Sequence, residues 1–357
     1  MGAGDAAGRV RSGRGAHSGL AEGGGAPGGK RLAGAGFDQP TDERAAVSWL
    51  VGSAPLTISI DEVVASITEW QGLPATITPL GGGLTNTNYR VEVDGRPYFV
   101  RIPGARTELL AIDRENELHN ARAAADAGVA PRVLHVLPEH HVMVLEFIQG
   151  TTLSIAGMQQ AGVPSRLAES LRRLHAGPRF LRDFDMFRLV EFYLRIVGDQ
   201  AVRIPAGYRE RLPLVADIET AIRRQPLATV PCNNDLLPEN LIDDGRRLLL
   251  IDYEYSGNND PCFELGNACQ EAGFDEARYR ELCLSYFGEA RPSLLARMHL
   301  FAIMSDVGWT LWGAIQAKIS KLQFDFWGYA VGRWERAQRM MESPEFPDWL
   351  REAAEGA

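Results

Sequence analysis

The spacing of apolar and polar residues changes along this chain. From Ala75 to Phe147 the apolar positions alternate with polar ones or form short runs between turn residues. Ala75 to Leu80, Arg90 to Val93 and Tyr98 to Ile102 read as strands, the last two joined by an Asp94-Gly95 turn. Val133 to Leu137 and His141 to Phe147 read as two more around a Pro-Glu-His-His turn, in which His140 and His141 look like exposed turn residues. A helical stretch from Ile112 to Ala127 interrupts the strands and ends at Gly128 to Pro131. Two shorter helical patterns come earlier, one around Trp49 and one from Ile60 to Trp70, which Asp61 can cap and Pro74 ends. After Gly150 the period becomes that of a helix. Leu167, Leu171 and Leu174 fall on one face before His175, and Phe187 to Val197 and Leu214 to Arg224 repeat the pattern. His175 reads as a structural cap or a buried donor. Strands first and helices afterwards predict an α+β fold.

One stretch inside the helical half breaks the period. Cys232 to Tyr255 places a carboxylate at Asp235, a carboxamide at Asn240 and a second carboxylate at Asp252. Between them lie a turn at Asp243-Asp244-Gly245 and an apolar strand, Leu248 to Ile251. A polar hairpin explains the turn residues alone. It does not explain a carboxylate at each strand end plus an Asn five residues after the first. Phosphoryl transfer uses such a set: one Asp orients the attacking hydroxyl, while an Asn and a second Asp hold magnesium on the nucleotide phosphates.

The groups that such chemistry needs upstream are also present. Gly81-Gly82-Gly83-Leu84-Thr85-Asn86-Thr87-Asn88 joins two predicted strands. Glycines let backbone N–H groups approach phosphates without obstruction by Cβ, although most glycine-rich turns are only turns. Arg101 sits on the next strand, where alternation can aim a cation at the phosphates. Such a cation needs a carboxylate partner, and the following helical stretch offers Glu115 and Glu117.

Asn234-Asp235-Leu236-Leu237-Pro238-Glu239-Asn240, followed by Ile251-Asp252-Tyr253-Glu254-Tyr255, resembles the choline and ethanolamine kinases, within the wider aminoglycoside-phosphotransferase-like group. Trp309-Thr310-Leu311-Trp312 and Phe324-Asp325-Phe326-Trp327-Gly328-Tyr329 resemble that family's C-terminal signature, and the likeness runs from about residue 76 to 336. It implies a bilobal protein-kinase-like fold with ATP in the cleft. Gly82, Gly83, Thr85, Asn86 and Asn88 would then cradle the phosphates beside Arg101, with Glu117 preferred over Glu115 as the partner of Arg101. The backbone of Glu146 and Ile148 would bind adenine. Asp235 would be the catalytic base, Asn240 and Asp252 would hold Mg2+, and Glu254 would add to the metal site. Glu264 would stabilise the catalytic core. Glu271 would face the substrate ammonium, with Trp309, Trp312 and Tyr329 as an aromatic cage; a quaternary ammonium ion, having no N–H donors, is held by such faces. An aromatic stripe at helical spacing is more often core than cage, and Trp327 and Trp334 read as packing. The family usually has His two residues before the catalytic Asp, where this chain has Asn233. That difference keeps a non-catalytic binding module as an alternative, beside kinases for thiamine, another amino-alcohol or an aminoglycoside.

Composition narrows the class further. With 357 residues, 45% hydrophobic and 23% charged, the chain suits a soluble protein of one large or two modest domains. A net charge of −9 argues against a nucleic-acid surface and suits a cationic small-molecule substrate. The four cysteines show no metal-site spacing, which fits a reduced, cytoplasmic protein. No apolar run reaches the roughly 18 residues of a membrane span, so stable membrane insertion is not expected; a homodimer stays open. The expected division is a Gly- and Ala-rich disordered tail over 1–40, a smaller antiparallel-sheet lobe over 41–147 and a larger helical lobe over 148–357.

Overall fold

Ser59 and Glu62 open the first helix, α1 (Ile60–Ser66). The Ser59 hydroxyl accepts from the Glu62 N–H, and the Glu62 carboxylate accepts from the Ser59 N–H at 2.8 Å, closing a capping box. The cap is therefore Ser59 rather than Asp61, which lies in the first turn, where the helix dipole favours a negative charge. The helix is also shorter than its apolar pattern suggests, because Thr68–Trp70 forms a separate tight turn. The computed structural model describes residues 58–81, 83–104 and 107–356. The helix expected around Trp49, the segment over 1–40 and Gly82 lie outside the described residues.

Five strands and a helix follow: β1 (Ala75–Leu80), β2 (Asn86–Val93), β3 (Arg96–Pro103), α2 (Arg114–Asp126), β4 (Val133–Leu137) and β5 (Val142–Glu146). The strands form one antiparallel sheet in the order β1-β2-β3-β5-β4. Val63, Ile67 and Trp70 make an apolar cluster with Val91, Val93, Val100, Val142 and Val144 of the sheet. Successive side chains of a strand point to opposite faces. Val100 joins this cluster, so Arg101 points to the other face, level with Asn88 on β2 and Met143 on β5.

The rest of the chain is mainly helical. It begins with β6 (Thr151–Thr152), α3 (Ile155–Met158), α4 (Val163–His175), α5 (Met186–Asp199) and α6 (Leu212–Arg224). Two small antiparallel sheets frame the stretch singled out above. β7 (Val230–Cys232) pairs with β10 (Gly257–Asn259), and β8 (Leu241–Asp243) lies between β6 and β9 (Leu248–Leu250). The chain closes with α7 (Pro261–Ala272), α8 (Glu276–Phe287), α9 (Pro292–Ile319), α10 (Phe326–Met341) and α11 (Phe346–Glu355). A helix apolar on all sides belongs in a core. In α9 every residue from Ser293 to Gln316 is buried, and α5, α7, α10 and α11 pack around it. The architecture is the bilobal α+β fold expected from the sequence. Among the described residues no helix is long and apolar enough to cross a membrane.

Glycines allow close approaches to α9. A Cβ on Gly266 of α7 would stand 2.3 Å from the Met298 carbonyl oxygen, and one on Gly313 would stand 2.8 Å from the Tyr329 ring. The first contact is with backbone, which cannot rotate aside. Gly266→Ala is therefore expected to destabilise the protein by about 2 kcal/mol or more, read as a lower midpoint in urea unfolding. A midpoint equal to the parent's would show that α7 and α9 have room to separate.

Candidate active site

Two residues of the central stretch hold left-handed backbone that side chains disfavour, Asn234 at φ 68° and Asp252 at φ 64°. Such strain persists only where the surroundings impose it, and here amide groups do so. Asn233 Nδ2 donates to the carbonyls of Ile251 (3.1 Å) and Asp252 (2.9 Å), while its Oδ1 accepts the Asp235 N–H (3.1 Å). Asn240 Nδ2 donates to the Asp235 carbonyl at 2.8 Å, and Asn267 Oδ1 accepts the Leu236 N–H at 2.7 Å. Glu264 of α7 accepts the N–H groups of Asn233 and Asn234 at 2.6 and 3.2 Å. The same carboxylate is bonded to His175 Nε2, and His175 Nδ1 lies 2.5 Å from the Tyr286 hydroxyl. His175 is thus a buried link at the end of α4, away from the Asp235 carboxylate's cavity.

Arg101 enters this region from β3. It is buried and lies 3.0 Å from Glu117, 2.6 Å from Asp252 and 3.0 Å from Glu254. Arg114 shares Glu117 at 2.6 Å. Glu117 is buried on α2, whereas Glu115, two residues earlier, is exposed. Burial opposes the charge on Arg101, but Asp252, Glu117 and Glu254 outweigh it and raise the Arg101 pKa. Burial likewise favours protonated Glu117, yet Arg101 and Arg114 keep that carboxyl below its ordinary value. Glu254 goes the other way, raised by burial and by Asp252.

The glycine-rich turn is tied to the same cluster. Thr85 Oγ1 donates to Glu254 at 2.8 Å and Asn86 Nδ2 donates to it at 2.9 Å. Gly83 is required by space, since a Cβ there would stand 2.2 Å from the Asn86 carbonyl oxygen. Asn88 Oδ1 is buried without a hydrogen-bond partner. Glu146 ends β5, and Ile148 follows in the connection to β6.

Oxygen atoms dominate the donor set beside this cluster. Glu117, Asp252 and Glu254 each bring a carboxylate oxygen within 4.8 Å of the others. All three carboxylates are already engaged, Asp252 through one oxygen with Arg101 at 2.6 Å. Glu117 belongs to Arg101 and Arg114, and Glu254 is bonded to Thr85, Asn86 and Arg101. Glu254, expected to add to the metal site, also straps the glycine-rich turn to the cluster through its oxygens. Asp252 and Asn240 line the adjoining cavity. The Asn240 amide nitrogen is anchored on Asp235, which leaves its oxygen as the ligand end. A carboxylate and a carboxamide oxygen suit a hard cation such as Mg2+.

That cavity has a volume of about 780 Å³. Asp235, Asn240 and Asp252 line it together with Tyr255, Trp309, Trp312 and Tyr329. Burial, and then the charge on Asp252, push the Asp235 carboxyl well above its ordinary range, which Arg333 offsets in part. The rings are set at angles to one another: Tyr255 and Trp309 have centroids 4.8 Å apart, and Trp312 and Tyr329 5.5 Å apart. Trp312 Nε1 donates to the Tyr255 hydroxyl at 2.7 Å. Glu271, expected to face the substrate ammonium, lines the cavity; Arg333 binds both of its oxygens, and Arg336 lies 3.2 Å away. Tyr255, Arg333 and Arg336 were not singled out in the sequence. Arg333 follows Tyr329 by four helical residues, hence shares its face; that spacing was the available signal.

Comparison with known proteins gives the site a context. Residues 76–301 match the phosphotransferase enzyme family. Ethanolamine kinase 2 of Mus musculus is 31% identical over 277 residues, which cover 69% of this chain and 70% of that protein. A crystal structure of a choline/ethanolamine kinase family protein from Mesorhizobium loti aligns with a TM-score of 0.74 at 38% identity, covering 83% of this chain and 99% of that one. The choline kinase LicA from Streptococcus pneumoniae aligns at 0.69 with 26% identity, over 79% of this chain and 98% of that one.

The bonds made by Asn233 generate a stability prediction. Asn233→Ala leaves the Ile251 and Asp252 carbonyls and the Asp235 N–H without that partner. A loss of about 1–3 kcal/mol is expected in urea unfolding. An unchanged midpoint would mean that this amide does not brace the two segments.

Proposed function

The chain belongs to the phosphotransferase enzyme family, and we propose that it transfers the γ-phosphoryl group of ATP to the hydroxyl of a small amino-alcohol, choline or ethanolamine. One observation carries the reading. Asp235, Asn240 and Asp252 open onto the same cavity as Trp309, Trp312 and Tyr329, so groups suited to phosphoryl transfer and to ammonium binding share one space. The similarity to choline and ethanolamine kinases supports the choice of acceptor.

In this reading the acceptor's hydroxyl points at Asp235 and its ammonium lies among the aromatic rings. Asp235 orients the hydroxyl and takes its proton. A carboxyl with raised proton affinity is the better base for that step. Asn240 and Asp252 would hold Mg2+, which when bound supplies positive charge to the phosphates. Arg101 adds fixed positive charge, and Glu117 and Glu254 keep its guanidinium in place. Thr85 and Asn86, bonded to Glu254, hold the glycine-rich turn over the phosphates. The transition state of phosphoryl transfer is loose, so catalysis rests on this positioning and charge.

Asn233 is the residue behind the non-catalytic alternative. Its two donors and one acceptor join the segment of Asp235 to that of Asp252. The loop keeps a brace at this position without a His, which supports the catalytic reading.

ATP consumption with magnesium, measured against choline, ethanolamine, thiamine, an aminoglycoside and no acceptor, tests the proposal. Choline or ethanolamine is expected to be turned over well above the others. Asp235→Asn is expected to lower kcat about 100- to 10,000-fold with little change in the KM for ATP. Equal turnover by variant and parent would remove Asp235 from the role of base.

A further inference from the structure

Helix α2 lies between β3 and β4 in sequence, yet its apolar residues belong to the other part of the molecule. Ala121, Ala123 and Ala124 join the core of the helical lobe, with Leu110 and Ile112 before them and Val129 and Ala130 after. The apolar cluster of the five-stranded sheet contains none of these residues. Between α2 and the β4–β5 hairpin there is instead a cleft of about 210 Å³, lined in part by Arg114, Leu118, Val136, His141 and Met143. Polar bonds reach from α2 to the sheet: Glu117 lies 3.0 Å from Arg101 of β3, and Arg114 donates to Asn86 of β2 at 3.1 Å.

Hydrogen bonds at three levels fix α2 on the helical side. At its start Asp113 accepts from the Glu115 and Asn116 N–H groups and from Arg182 Nε at 2.7 Å. Beyond its end the Gly128 carbonyl accepts from Arg247 at 2.6 Å, and the Val129 carbonyl accepts from the Leu250 N–H of β9 at 2.8 Å. In the middle stands Asn120, which is fully buried. Its Nδ2 donates to the carbonyl and the hydroxyl of Ser256 at 3.1 and 3.0 Å, and its Oδ1 accepts from the Leu181 N–H at 2.9 Å. Asn116, one turn earlier, donates to the same Ser256 carbonyl at 2.9 Å. Ser256 closes the turn that carries Glu254, since its N–H and its hydroxyl both donate to the Tyr253 carbonyl, at 3.1 and 2.5 Å. A buried amide bonded in this way resists displacement, because a shift leaves polar groups unpaired where water does not reach them.

Asn120 and Glu117 are three residues apart, hence on one side of α2. The bonds of Asn120 therefore set where Glu117 stands relative to Asp252 and Glu254, and these three carboxylates together receive the Arg101 guanidinium. We infer that Asn120 is a positioning residue for nucleotide binding: it locks α2 to the Tyr253–Ser256 turn, so that Glu117 holds Arg101 of the sheet at the height of the phosphates. This rests on the phosphoryl-transfer reading above. Asn120 itself touches neither Arg101 nor the cavity; it acts through Glu117.

The test is the Kd for ATP with magnesium, together with kcat, the KM for ATP and the KM for the acceptor that the parent turns over best. The proteins are the parent, Asn120→Ala, Asn116→Ala, Glu117→Gln, the double variant E117Q/N120A and a control, Ala124→Gly. Asn120→Ala is expected to raise the Kd and KM for ATP about tenfold, the effect of losing one or two buried hydrogen bonds, and to leave the KM for the acceptor unchanged. Asn116→Ala, which keeps Asn120 on Ser256, is expected to act in the same direction by less. Glu117→Gln is expected to weaken ATP binding, and adding Asn120→Ala to it is expected to weaken it little further, because the two residues act in series. Ala124→Gly loosens the same buried helix without touching Ser256; its urea midpoint is expected to fall while its constants for ATP stay at the parent's values. Unchanged constants for ATP in a folded Asn120→Ala overturn the proposal. So do a rise confined to the acceptor KM, an equal weakening in Ala124→Gly, and an Asn120→Ala effect that is undiminished beside Glu117→Gln. If Asn120→Ala does not fold, the same outcomes are read from Asn116→Ala. A parent that neither binds nor consumes ATP overturns the phosphoryl-transfer reading itself, which is a different result from an active parent whose constants for ATP do not respond to Asn120→Ala.

Discussion

The buried cation of Arg101 is the point on which the other parts of the site depend. It stands between Glu117 of α2, Asp252 beyond β9 and Glu254, and Glu254 in turn holds Thr85 and Asn86 of the glycine-rich turn. The guanidinium therefore registers α2 and the Asp252–Glu254 segment directly, and the glycine-rich turn through Glu254. Such a cluster is weak evidence for stability, because the ions lose hydration when buried. Removing one member nevertheless leaves the others uncompensated, a loss of about 3–5 kcal/mol. Its value here lies in position. Asp252 keeps its left-handed backbone and its place beside Asp235 because Arg101 pulls on its carboxylate while Asn233 binds its carbonyl.

Charge is spread unevenly over the lining of the cavity. Burial and then the charge on Asp252 raise the cost of ionising the Asp235 carboxyl. An opposite charge placed between the two carboxylates relieves that cost. Glu271, Asp306, Arg333 and Arg336, by contrast, pair with one another.

The protein interior explains why both arrangements hold. α9 carries Trp309, Trp312 and Asp306 through the centre of the helical lobe, buried on all sides, and Gly313 lets the Tyr329 ring of α10 come against it. Gly266 brings α7, with Glu264 and Glu271, against the same helix. The segment of Asp235, through Glu264 and Asn267 of α7, and the aromatic residues of the cavity are therefore held against one buried helix.

The residues of the central stretch were legible because their spacing is local. Asp235, Asn240 and Asp252 lie on one short hairpin, and the apolar run of β9 fixes how far apart its ends can be. Arg101 was legible from strand alternation, and the phase of α2 puts Glu117 inside and Glu115 outside. The strands of the large sheet followed from period and turn residues, whereas the cap of α1 went to Ser59 because two local hydrogen bonds outbid a pattern. What the sequence could not state was which charge neutralises which. Glu271 and Arg333 are 62 residues apart and Arg101 and Asp252 are 151 apart. Coulomb energy depends on distance and burial, and neither follows from spacing along the chain once the partners lie on different elements. Sequence alone determined the order of strands and helices and the local spacing of Asp235, Asn240 and Asp252; tertiary packing alone decided that Glu271 pairs with Arg333 and that Glu254 accepts from Thr85 and Asn86.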